Sequence, residues 1–168
     1  MSKEMREQID KVKNFGEFLN ENKIFNHDYE ELLDNILNSG VDKEYAKEDL
    51  DYKIKHLNDI KKNNTIQLSR VVFSKDKSLI NLDNLGHHYV ENISDFHEEM
   101  FDYLYMNAKK TNPSLEISDS WVVTIETDVN NIDFMETILT NSLHPNESEI
   151  TILNDKNFRL INIDSYYE

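Results

Sequence analysis

The sequence predicts an α+β fold: a helical N-terminal region, residues 1–64, followed by a mixed α+β region, residues 65–168. Three observations carry this expectation. Apolar residues recur at helical spacing up to residue 60. From Thr65 onward, short β-branched runs appear, as in Trp121-Val122-Val123-Thr124-Ile125-Glu126-Thr127. The strand-like runs in that second part are separated by segments with helical periodicity, without the regular alternation of a parallel α/β sheet.

The elements follow in order. Ile9, Val12, Phe15, Phe18 and Leu19 form one helical stripe, and Tyr29, Leu32, Leu33, Ile36 and Leu37 a second, closed by Gly40. A third helix spans residues 43–62, with Tyr45, Leu50, Ile54, Leu57 and Ile60 apolar, and ends at the polar turn Lys61-Lys62-Asn63-Asn64. Ile66, Leu68, Val71, Val72 and Phe73 mark a buried strand. Residues 75–85 read as turn, and His87-His88-Tyr89-Val90 as a short strand. Ser94 is the expected N-cap of a helix over residues 94–108, which Asn112-Pro113 stops. A strand over residues 121–127 precedes a short helix over 133–139. The loop Leu143-His144-Pro145-Asn146 leads into a strand that begins near Glu147. Asn154-Asp155-Lys156-Asn157 is expected to turn a hairpin into the last strand, residues 158–163.

Composition limits function. The chain has 168 residues, 33 acidic against 18 basic, for a net charge of −15. Phosphate-driven nucleic-acid binding needs Lys and Arg clusters, so direct nucleic-acid binding is disfavoured, as is an anionic membrane. A basic partner is favoured. There are no cysteines, which excludes disulfides and thiolate metal sites and suits a cytoplasmic setting. Nothing resembles a signal peptide or a membrane span. With three glycines and two prolines, no P-loop or dinucleotide fingerprint is present. The histidines His87, His88 and His97 lack the spacing of a zinc site, and no hydrolase triad is evident. Asp49-Leu50-Asp51 and residues 164–168 read as solvated acidic surface.

The candidate site is Glu147-Ser148-Glu149-Ile150-Thr151-Ile152. Alternation along a strand sets Glu147, Glu149 and Thr151 on one face. Two like charges there repel, which suits either catalysis or a solvated edge strand. Upstream stand Arg70, in Leu68-Ser69-Arg70-Val71-Val72, and the segment Leu85-Gly86-His87-His88-Tyr89. Arg70, the His88 segment and Glu-x-Glu, in this order, resemble the mono-ADP-ribosyltransferase family of the arginine–serine–glutamate type, found in bacterial toxins and phages. The resemblance covers about residues 65–163. It implies a split two-sheet fold with NAD as substrate in the cleft and a target protein as acceptor. It further implies that Arg70 holds the NAD phosphates, that Glu149 is catalytic, and that Glu147 orients an acceptor side chain such as arginine. The middle element departs from the family, because Gly86-His87-His88-Tyr89-Val90 has no hydroxyl residue where a serine is usual. His88 would donate to Glu149 and Tyr89 would stack on nicotinamide, or both would serve packing. The alternative function is a non-enzymatic acidic binding or inhibitor protein, such as a DNA mimic, on a degenerate transferase fold.

Overall fold

The computed structural model describes residues 29–146 and 148–167. The helical stripe expected over Ile9 to Leu19 lies outside the described residues. Helix α1, Tyr29–Leu37, buries Leu32, Leu33 and Ile36. Its chain turns at Gly40, whose φ of 90° is the left-handed conformation that glycine adopts at little cost. Helix α2, Lys43–Ile60, starts at Asp42, which accepts a hydrogen bond from the Tyr45 amide. Ala46, Leu50, Ile54, Leu57 and Ile60 then fall on its buried face at steps of three and four.

Five antiparallel strands follow: β1 Thr65–Phe73, β2 His88–Val90, β3 Ser120–Asp128, β4 Glu149–Thr151 and β5 Arg159–Ser165. They form one sheet in the order β4-β2-β1-β3-β5. The mixed α+β class is therefore as the sequence predicts, but the described strands join in one sheet where the family resemblance implies two. Helices α3, Glu98–Thr111, and α4, Phe134–Leu143, complete the described α-helices, and short 3-10 turns join the elements.

The core explains the layering. Leu32, Ile36, Leu50, Ile54 and Leu57 of the first helices share one buried cluster with Leu68, Tyr89, Val123, Ile125, Ile150 and Ile152 of the sheet. Ile138 of α4 belongs to it too. Each such side chain contributes roughly 1.5–3 kcal/mol on burial. Helices α1 and α2 are thus built into the same core as the strands. The other face of the sheet carries α3, through Phe73 against Phe101 at 5.1 Å between ring centroids and Phe101 against Tyr166 at 5.0 Å.

Four local expectations change. Ser94 lies in a 3-10 turn, Ile93–Asp95, and α3 is capped instead by the His97 ring, which accepts from the Glu99 amide. The helix expected to end at 139 runs to Leu143, because its inner face carries buried Thr137, Ile138, Asn141 and Ser142. Residues 154–157 do not close a hairpin: β4 and β5 lie at opposite edges of the sheet. Asn131 anchors that connection, donating to the carbonyls of Asn154 at 3.0 Å and Asn157 at 3.2 Å. β5 then gains a long register along β3, from Glu126↔Arg159 to Trp121↔Ser165. Finally, residues 164–167 are not a free tail, although Asp164 is exposed as expected. Asp164 and Ser165 pair within β5, and Tyr166 packs on Phe101.

Candidate functional site

β4 is a three-residue edge strand, and its outer edge is closed by side chains. Asn141 accepts from the Glu149 amide at 3.1 Å and donates to the Glu149 carbonyl at 2.9 Å. Four residues earlier on the same helix face, the Thr137 hydroxyl accepts from the Thr151 amide at 2.9 Å. The Asp133 amide donates to the Thr151 carbonyl at 2.8 Å. Helix α4 thereby supplies the partners that a neighbouring strand would otherwise provide, and the edge is closed to further pairing. Glu149 is the backbone residue held from both sides by one amide.

Alternation then directs the side chains. The pairs Val90↔Glu149 and His88↔Thr151 set His88, Val90, Glu149 and Thr151 on the α3 face. His88 Nδ1 lies 3.4 Å from Glu149 Oε2 and 3.5 Å from Thr151 Oγ1. The contact with Glu149 raises the His88 pKa, chiefly by the hydrogen bond, against a smaller opposing effect of burial. Glu149 keeps only 12% of its side-chain surface exposed, whereas His88 keeps 53%. The carboxylate is therefore sheltered and the imidazole open to solvent.

Arg70 and Tyr89 belong to the opposite face, with Leu68. β1 and β2 share the pair Ser69↔Val90 and part beyond it, so Arg70 stands where the sheet opens. Its guanidinium carbon lies 5.5 Å from the centre of the Tyr89 ring, a cation–π contact. Gly86, with φ of 86°, covers the guanidinium so closely that an added Cβ would lie 2.7 Å from Arg70 Nη1. Arg70 Nε and Nη1 and the Tyr89 hydroxyl are buried with no hydrogen-bond partner among the described residues. Burial lowers the Arg70 pKa, opposed by Tyr89 and Glu149, and burial pushes the Tyr89 phenol up to about 12. A buried guanidinium with unspent donors is costly, and it is the group that a phosphate or carboxylate would satisfy.

Three of the five residues singled out by sequence meet at one cavity of about 290 Å³: Arg70, His88 and Glu149. Tyr89 supports Arg70 as a 2% exposed core residue. Glu147 lies outside the described residues. The cavity wall that sequence reading missed comes from α3 and the turn before it: Phe96, Met100, Tyr103 and Leu104. In sequence Phe96, Met100 and Leu104 recur every four residues, and α3 divides into a sheet-packing side at Phe101 and Tyr105 and this open side. Thr137 and Asn141 had a sharper signal, as polar residues four apart at core positions of a helix.

Glu149 also lines two adjoining hollows. One runs beside His88, Asp95, Phe96 and Ser148. The other, about 250 Å³, is bounded by Tyr52, Lys53 and His56 of α2 and by Glu91, Asp95 and Glu149. Lys53 fixes one wall of it by donating to the carbonyls of Asn141 at 3.1 Å and Pro145 at 3.0 Å and to Asp49 at 2.7 Å.

Scans against protein-family models, curated proteins and solved structures find no match. Among the described residues, no group of three or more His, Asp or Glu could hold a metal ion. No described helix is long and apolar enough to cross a membrane.

Proposed function

We propose that the chain is an NAD-dependent mono-ADP-ribosyltransferase, with NAD as substrate and a target protein as acceptor. The observation that carries this reading is the meeting of Arg70 and Glu149 at one cavity, with Arg70 donors unspent. Arg70 would take an NAD phosphate. Glu149 would stand by the nicotinamide ribose and stabilise the positive charge that grows at C1′ as nicotinamide leaves. His88 would hold Glu149 in place of the usual serine. Phe96 and Met100 offer the apolar wall that a nicotinamide ring requires.

In the reaction, the bond between C1′ and the nicotinamide nitrogen breaks, and its electron pair leaves with nicotinamide. An acceptor nucleophile forms the new bond to C1′ and gives up its proton. Glu147 would keep the acceptor-orienting role that the family resemblance implies. The split two-sheet cleft of the family has no counterpart among the described strands, so the NAD cleft of this proposal lies between the sheet and α3. The reading rests on the site rather than on the fold. A cytoplasmic setting, with NAD at hand, suits it.

The test is incubation of the purified chain with labelled NAD and a cell lysate, comparing wild type with Glu149→Gln. Label on a protein, or nicotinamide release, that falls by at least about a hundredfold in the variant is the expected result. No turnover by the wild type would reject the transferase and favour an acidic binding or inhibitor protein.

A further inference from the structure

The transfer needs a group to receive the acceptor's proton, and Glu149 is engaged with His88. On the other side of Glu149, the 250 Å³ hollow holds an imidazole in a defined setting. His56 Nε2 is hydrogen-bonded to the Glu91 carboxylate. The ring also stacks on Tyr52, with 6.1 Å between centroids and 2° between planes. A carboxylate that accepts from one ring nitrogen places the proton there and leaves the other nitrogen as the base. His56 Nδ1 makes no hydrogen bond to any described residue. His56 is 43% exposed and Glu91 31%, so a protein acceptor has access to the ring.

We infer that His56, oriented by Glu91, is the general base that takes the proton from an N–H or O–H acceptor bound in the hollow between α2 and Glu149. The inference rests on the transferase reading. It divides the site in two. NAD occupies the side of Glu149 facing α3, and the acceptor enters from the side facing α2. As C1′ loses nicotinamide, the acceptor atom attacks C1′ and its proton passes to His56 Nδ1. The resulting imidazolium is stabilised by Glu91 and later returns the proton to water. The charged groups around the ring are Asp49, Lys53 and Asp59 of its own helix, Glu91 and Asp95 beyond β2, and Glu149 of β4.

The experiment uses the full chain with labelled NAD and lysate, and measures transfer rate against pH together with NAD affinity by calorimetry. His56→Gln keeps a donor for Glu91 and removes the base. It is expected to lower kcat by about 10²–10⁴-fold, to leave the NAD Kd within about twofold, and to abolish the fall of rate at acid pH. Glu91→Gln is expected to lower kcat by about 10–100-fold, again without loss of NAD. A His56→Gln protein that transfers at the wild-type rate with the wild-type pH profile overturns the inference and leaves the NAD site standing. Loss of NAD binding in both variants overturns it as well, because the pair would then serve structure. A wild type that neither binds nor consumes NAD overturns both readings together.

Discussion

The two halves of the sheet are built by different means. On one side, β1 and β3 pair along their whole length, from Thr65↔Asp128 to Phe73↔Ser120, and β3 pairs in turn with β5. On the other, β1 and β2 share the pair Ser69↔Val90, and β2 and β4 share three pairs. The long half is specified by backbone hydrogen bonds and by apolar residues on its faces. The short half is held in place by side chains: Asn141 and Thr137 at β4, and Lys53 at the loop before it. The contrast explains where the site lies. A strand of three residues, ended early and clamped from outside, leaves room for cavities around Glu149, whereas a continuous ladder leaves none.

Four substitutions break or sharpen this contrast. The largest effect is expected in the long half, where Ile125 is fully buried in β3. Ile125→Ala should cost about 2–5 kcal/mol, seen as a lower urea midpoint with an unchanged slope. Asn141→Ala comes next. It orphans the Glu149 amide and carbonyl, at about 1–3 kcal/mol. Its distinguishing mark is faster hydrogen exchange at the Glu149 and Thr151 amides, while the amides of β3 stay protected. Equal acceleration in both halves would show that the short half is not held independently.

Gly86→Ala is smaller in stability and larger at the site. The left-handed backbone costs a residue with a side chain about 1–2 kcal/mol, and the new methyl presses on the Arg70 guanidinium. Affinity for an anionic ligand should fall more than the melting temperature suggests, measured by titration and by thermal unfolding of the same sample.

The smallest effect is that of His88→Gln. The folded-state pKa of His88 is raised, so the stability it contributes is fully present below about pH 6.5 and is lost as pH rises through the folded value. Solvent screens a half-exposed pair, so the effect is slight. The melting temperature of wild type minus that of the variant should shrink between pH 6 and pH 8, in about that window. A difference that grows with pH would reverse the assigned partner.

Much of this was legible in the sequence. The spacing of Leu50, Ile54, Leu57 and Ile60 announces α2, and the run around Val123 announces β3. Arg70, His88 and Glu149 stand out in the sequence through the order of their segments, which resembles the transferase family, and the fold brings the three to one cavity. The destination of β5 was not legible. Asn154-Asp155-Lys156-Asn157 reads as a hairpin turn, yet it is held by Asn131, from a distant part of the chain, and feeds the far edge of the sheet. Local turn chemistry cannot report such a tertiary tie. His56 and Glu91 had no local signal either, since each is an ordinary polar residue until α2 packs beside the end of β2.

The most direct test is calorimetric titration of NAD into the wild type and into Arg70→Gln. Saturable one-to-one binding by the wild type, weakened at least about tenfold by loss of the charged donor, is the predicted result. An absence of binding to the wild type at millimolar NAD, or equal affinity in the two proteins, would contradict an NAD site built on Arg70.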